Sequence, residues 1–211
     1  MTTIRDIDRK CSVCGHTSPK RVIMSTNRWT YPDLDLRPSE MQRSTMFAWV
    51  MECPNCGYVS ADIEKKIDIS ENYLKSEEYM TCEGHEFESE LAKKFYKNYL
   101  LSDDEESKFY NLLHCAWACD DADDELAVEM RKLAVGPLNH IIEEAGEKKD
   151  DYLIMKADLL RRSLQFGEVI SQFSSMTFDR EILNQITTFQ VIKAKAEDSE
   201  CYTVGDVIGE E

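Results

Sequence analysis

Cys11-Ser12-Val13-Cys14-Gly15-His16 and Cys53-Pro54-Asn55-Cys56-Gly57-Tyr58 are the two stretches on which the fold turns. Each is a Cys-x-x-Cys turn that closes on a glycine. The spacing lets two thiolates meet one ion, and the glycine accepts the positive φ that such a turn needs. Four thiolates in two such turns are the ligand set of a structural zinc site. Cys11, Cys14, Cys53 and Cys56 are therefore the expected ligands of one structural Zn2+. With sulfur at all four positions, no coordination site is left for a catalytic water. Two alternatives stand beside this reading: a pair of unrelated reduced turns, and a redox or iron role. Thioredoxin-like chemistry would want a βαβ context that is missing here. His16 is expected next to the site, since four thiolates already suffice.

Working outward, the composition changes near residue 60. Residues 1–60 are turn-rich and β-like. Lys20–Ser25 is one short strand candidate. Met46–Glu52 alternates, with Phe47, Trp49 and Met51 on one face, and runs into the second cysteine pair. Strands entering and leaving cysteine turns are the layout of a zinc ribbon. A segment of this size buries too little core to fold confidently alone, and zinc binding of about 10–16 kcal/mol would supply the missing stability.

After residue 60 the apolar period becomes helical. Stripes run through Leu91, Phe95 and Tyr99, then through Phe109, Leu112, Leu113, Ala116 and Trp117. Leu126, Met130, Leu133 and Ala134 lead into Leu138, Ile141 and Ile142, with Gly136-Pro137 as an expected break or kink. Further stripes are Leu153, Ala157, Leu160 and Leu164; Phe166, Val169, Ile170 and Phe173; and Ile182, Ile186 and Phe189. The short connections predict antiparallel neighbours. Ala157 to Phe173 resembles the turn of a tetratricopeptide helix pair, with Ser163 where a turn glycine is usual, although no clean 34-residue repeat recurs. The expected fold class is α+β, mainly α. A zinc-ribbon domain (1–60) precedes an antiparallel, tetratricopeptide-like helical domain (61–211).

The 211 residues carry a net charge of −16, unevenly placed. Residues 1–60 hold eight Lys and Arg against six Asp and Glu; residues 61–211 hold seventeen against thirty-five. So acidic a body disfavours broad nucleic-acid binding, which needs clustered cations. The start of the chain has no apolar signal-peptide core. The longest apolar run, Met46–Met51, falls far short of the ~20 residues a membrane helix needs. A cytoplasmic protein follows, with its eight cysteines read as ligands and core residues.

Three other sets invite chemistry. Cys82-Glu-Gly-His85, with His114, Cys115 and Cys119 downstream, could form a second metal site; ordinary core packing is the plainer reading. Asp120 to Glu125 lacks the spacing of a calcium loop and reads as a helix start, with carboxylates near the positive end of the dipole. Asn27 to Pro38 alternates charge and apolar residues, placing Asp33, Asp35 and Arg37 on one face of an extended segment. These form either an internal ion-pair network or, with Arg28, a candidate binding surface for a carboxylate or phosphate. No histidine or serine nearby completes a nucleophile–base pair.

The same residues carry a resemblance. The Cys-x-x-Cys-Gly turn, Arg28…Asp33-Leu-Asp35-Leu-Arg37-Pro38 and Trp49-Val-Met-Glu-Cys53-Pro-Asn-Cys56-Gly57-Tyr58 resemble the bacterial family catalogued as domain of unknown function 2225. So do His114-Cys-Ala-Trp117, Lys156-Ala-Asp-Leu-Leu-Arg-Arg162 and Cys201-Tyr-Thr-Val204. The resemblance implies a cytoplasmic bacterial protein with a zinc-ribbon head on tetratricopeptide-like helices, and it implies no reaction.

The function expected is that of a non-enzymatic interaction or adaptor protein. It would bind a protein or peptide partner through its helical hairpins, which expose concave surfaces. The alternative is a nucleic-acid-binding ribbon using Arg9, Lys10, Lys20, Arg21, Arg28 and Arg43. A third reading, an enzyme built on Asp33 and Asp35, is the weakest.

Overall fold

The computed structural model describes residues 1–210. The chain is α+β and mainly α, with two small antiparallel sheets first and helices after them. Strand β1 (Thr3–Lys10) pairs with β2 (Thr17–Ser25), in a register running from Thr3 opposite Ser25 to Lys10 opposite Thr17. The short strands β3 (Met51–Glu52) and β4 (Val59–Ser60) form the second hairpin. Each cysteine turn is the loop of one hairpin, so the two ligand pairs are delivered by the same local device.

Met46–Glu52 is not one strand. Residues Arg43–Ala48 form a 3₁₀ helix, and only Met51 and Glu52 pair. The residues that bury there are Met46 and Val50, four apart, whereas Phe47 is exposed. The i, i+4 spacing of this buried pair overrides the alternation.

Helix α1 (Glu77–Met80) is followed by α2 (Glu90–Leu100), α3 (Glu105–Asp120), α4 (Leu126–Glu144) and α5 (Lys149–Arg162). Then come α6 (Phe166–Phe173), α7 (Glu181–Lys195) and α8 (Val204–Ile208). The side chains of Ser76, Ser89 and Asp104 cap α1, α2 and α3 by accepting backbone N–H groups at the third helical position. A reciprocal Thr203/Asp206 box starts α8. Of the break or kink expected at Gly136-Pro137, no break forms: helix α4 runs through Pro137. Pro137 deprives the Leu133 carbonyl of its partner, and Leu133 is exposed, so water can serve that carbonyl.

The largest core lies among α2, α3 and α4, with Phe95, Phe109, Leu112, Ala116, Met130 and Leu138 at its centre. Met46, Val50 and Val59 from the N-terminal part join it. A second cluster sits under the cysteines and combines Cys11, Cys53 and Tyr58 with Ile63, Leu74, Tyr79 and Leu101. Ala157, Leu160, Val169, Phe173 and Val191 join α5, α6 and α7. The α5–α6 turn is closed by Gln165 N–H donating to the Leu160 carbonyl at 2.8 Å. Leu164 takes the left-handed position there (φ 63°) and is exposed, so it leaves the α5 stripe. Ser163, fully buried, donates its hydroxyl to the Leu159 carbonyl at 2.6 Å. Among the described residues, no helix is long and apolar enough to cross a membrane.

Candidate metal centre and the polar junction behind it

The two turns superpose in their bonding. Cys11 N–H donates to the His16 carbonyl (2.9 Å) and Gly15 N–H to the Cys11 carbonyl (2.9 Å). Cys53 N–H donates to the Tyr58 carbonyl (2.8 Å) and Gly57 N–H to the Cys53 carbonyl (2.9 Å). Gly15 and Gly57 have φ of 73° and 74°, a region a side chain resists. The turns place Cys11 Sγ 3.7 Å from Cys56 Sγ and Cys14 Sγ 3.6 Å from Cys53 Sγ. All four sulfurs lie within 4.8 Å of one another. A tetrahedral ion with metal–sulfur bonds of about 2.3 Å spaces its ligands about 3.8 Å apart, whereas a disulfide requires about 2.05 Å. All eight cysteines are free thiols, and the four fit a metal ion.

The centre is anchored on both sides. Ser12 donates its N–H to the Ile63 carbonyl (2.8 Å) and its hydroxyl to the Lys65 carbonyl (2.7 Å). Arg9 pairs with Glu64 at 2.6 Å. The Tyr79 hydroxyl donates to the Gly57 carbonyl at 2.8 Å, tying α1 to the second turn. His16 is exposed and meets the centre through its backbone, the carbonyl accepting from Cys11 N–H and the amide bonding the Cys14 sulfur.

Among the described residues, no second ligand cluster forms from Cys82, His85, His114, Cys115 and Cys119. His85 Nδ1 bonds the Cys82 carbonyl (2.8 Å), and Cys115 donates its thiol to the Ala92 carbonyl (3.2 Å) inside the core. His114 packs among aromatic rings, 5.1 Å from Trp49, 5.2 Å from Phe95 and 5.0 Å from Trp117.

Asp33, Asp35 and Arg37 are brought together, but not on an extended face. Asp33 N–H donates to the Arg37 carbonyl (3.0 Å) and Leu36 N–H to the Asp33 carbonyl (2.9 Å). Leu36 is left-handed, and Arg37 N–H donates to Asp35 Oδ1 at 3.2 Å. This tight turn aims all three side chains inward, where they are 2 %, 0 % and 4 % exposed. Arg28 stands apart, exposed, with a backbone bridge to Met41.

The turn plugs into the helical body. Asp35 Oδ2 accepts from the Trp117 indole (2.7 Å) and from Arg162 (3.5 Å). Arg131 grips Asp120 through both nitrogens (2.9 and 2.5 Å), and Arg162 bonds the same carboxylate at 2.9 Å. Arg37 reaches Asp121 at 2.6 Å. Burial pushes the Asp35 carboxyl up, with the Asp158 charge adding to it, against the pull of Arg162, Arg131 and the indole. For Asp120, burial acts in the same direction, but the Arg131 and Arg162 guanidiniums outweigh it and hold the carboxyl below the usual range. Asp120 and Asp121 thus end α3 instead of opening α4. Carboxylates are disfavoured at that negative dipole end and are answered by arginines. Of the acidic run, Asp124 alone serves the expected start: its Oδ1 accepts Leu126 N–H at 2.9 Å.

The C-terminal segment clamps the same turn from the other side. Leu34 N–H donates to the Tyr202 carbonyl and Val204 N–H to the Pro32 carbonyl, both at 2.9 Å. The Cys201 thiol donates to Asp33 Oδ2 (3.3 Å), and Arg43 pairs with Asp33 Oδ1. Of the cations considered for nucleic acid, Arg9 and Arg43 are thus paired with acids. Lys20 donates to the Glu52 carbonyl (2.6 Å), and Arg21 lies over the Phe47 ring.

No protein-family model, curated protein or solved structure matches the chain. Its chemistry is therefore read from these residues alone. The sequence reading missed Arg131 and Arg162 as members of the site. Arg131 was visible as a cation four residues after Ala127 and three before Ala134, on the buried face of α4.

Proposed function

We propose that the chain is a non-enzymatic, cytoplasmic interaction protein with one structural zinc, binding a protein or peptide partner. The observation that carries it is the loop between the two cysteine turns. That loop is fixed at both ends by hairpins and pinned in the middle by Asp35, yet it holds Trp29 67 % and Leu36 49 % exposed. Large apolar side chains on a rigid support are the composition of an interface anchor. The contact surface is placed on this loop, and the helical hairpins act as its platform.

Zinc suits a closed four-sulfur tetrahedron, brings no redox chemistry, and staples two hairpins that bury little on their own. Eight free thiols suit a reducing compartment. The α5–α6 hairpin, interlocked through Ala157, Leu160, Val169 and Phe173, supports the tetratricopeptide-like reading of the body, and the paired cysteine hairpins support the zinc-ribbon reading of the head. That combined layout is the one the resemblance to the bacterial family of unknown function 2225 implies.

A photo-crosslinking residue at position 29 tests the partner. Crosslinks to a discrete set of proteins, lost in the Leu36→Ser variant with metal content and circular dichroism unchanged, are expected. Capture that ignores changes at both positions would overturn the placement.

A further inference from the structure

Beneath that loop lies a cavity of about 270 Å³, closed on its inner side by α3. This is near the low end of the ~300–1,000 Å³ of ligand pockets and has room for one aromatic ring with a short side chain. Trp49, Tyr110, His114 and Trp117 supply aromatic lining, with Leu113 and Met155 filling between them. Arg28, Leu36, Pro38 and Gln42 line it from the loop, together with the fully buried Asp35.

The polar groups around this space fall into two sets. Asp35, Asp120 and Asp121 are answered by Arg131, Arg162 and Arg37, so the first set is balanced in charge. Arg28, Gln42 and His114 have no side-chain hydrogen bond or ion pair among the described residues, although each borders the cavity. The Arg28 guanidinium is the uncompensated charge. Its planar fork matches the two oxygens of a carboxylate, and the Gln42 amide, which borders the same cavity, adds a donor. A dianion is less suited, because a single exposed arginine would face it. The His114 ring is neutral: burial, and then the Arg37 charge, push its pKa down to about 4. A neutral imidazole offers one donor and one acceptor, which a ligand hydroxyl or ring N–H could meet.

We propose that this cavity is a binding site for an aromatic monocarboxylate, with the carboxylate on Arg28 and the ring among Trp49, Tyr110 and Trp117. The same chemistry occurs in a free aromatic acid and in the C-terminal residue of a peptide. The site uses the loop assigned to partner binding but stands without that assignment. Binding of a free acid by a protein that crosslinks to nothing would sink the partner reading and leave this one intact.

The test is calorimetry and tryptophan fluorescence on the full, metal-loaded chain. The probes are 4-hydroxyphenylacetate, indole-3-acetate, their neutral amides, and short peptides ending in tyrosine with a free or amidated C-terminus. Saturable one-to-one binding of at least one carboxylate, quenching of tryptophan emission and loss of binding by the matched amide are expected. Arg28→Gln should weaken binding roughly tenfold or more, as loss of a charge-assisted bond does, while Arg28→Lys retains part of it. Because Arg28 is exposed and unpaired, both variants should keep the wild-type melting temperature. Free acids that bind where peptides do not identify the free ligand, and the reverse identifies a chain terminus; either supports the site. No saturable binding by any carboxylate at millimolar concentration, or equal binding of amides or by Arg28→Gln, would overturn it.

Discussion

Trp117 and Asp35, 82 residues apart, meet in the interior, where the indole N–H donates to Asp35 Oδ2 at 2.7 Å. This bond joins the loop between the cysteine turns to α3. It places a carboxylate inside the molecule, where Arg131 of α4 and Arg162 of α5 lie within 4.0 Å of it. Removing Asp35 would leave the buried Trp117 indole N–H without its acceptor and Arg131 and Arg162 with Asp120 alone. Asp35→Ala should cost about 1–3 kcal/mol in denaturant unfolding, as when a buried donor loses its acceptor. Asp35→Asn, which still accepts from Trp117, should cost less. Equal stability of Asp35→Ala and wild type would remove the network from the account.

Arg161 should govern the C-terminal clamp. It is fully buried, donates to the Asp198 and Glu200 carbonyls at 2.8 Å each, and is held by Asp158 at 2.8 Å. Arg161→Ala should raise amide exchange across residues 198–204 ahead of the rest of the chain. Exchange unchanged there would show that Tyr202 and Val204 hold the segment without it.

His114 sets a pH dependence. Its folded pKa of about 4 lies below the ordinary value of 6.5. Between those values the unfolded chain binds a proton that the native chain does not. The His114 contribution should therefore fall as pH drops from about 6.5 toward 4, by roughly 2–3 kcal/mol at the lower end, opposed by the Asp35 carboxyl, whose upward shift favours the native state as pH falls. The Asp120 carboxyl, depressed in the folded state, contributes its loss only at lower pH. His114→Gln should flatten the 6.5-to-4 portion of the profile; an identical slope in variant and wild type would assign it to other groups.

Removing the metal should act locally first. Cys53→Ser should lose the ion and let β1–β4 exchange freely, because so small a core leans on its metal, and a structural zinc would supply about 10–16 kcal/mol. Helices α5–α7 bury their own cluster away from the cysteines and should keep their protection. A variant that retains its metal and its melting profile would show that Cys53 is not a ligand.

The cysteine turns and the helical stripes were legible because both are local: spacing within a turn and period along a helix carry the signal. What sequence reading missed depends on partners far along the chain. Whether Asp33-Leu-Asp35-Leu-Arg37 faces outward or inward rests on Trp117, Arg131 and Arg162, and nothing in the alternation of that segment encodes them. Met46 to Glu52 misled because alternation and i, i+4 burial overlap in so short an apolar run. Pro137 misled because its cost depends on whether the freed carbonyl meets water. His114 was legible as a chemically unusual residue on α3, but its neighbours, the rings of Trp49, Phe95 and Trp117, place it beside a cavity instead of a metal.

The central claim is that a closed four-sulfur zinc staple holds the loop that does the binding. X-ray absorption at the zinc edge of the purified protein tests it most directly. The account predicts one zinc per chain with four sulfur neighbours at about 2.3 Å and no oxygen or nitrogen in the shell. A light-atom ligand, a coordination number above four, or iron in place of zinc would contradict it.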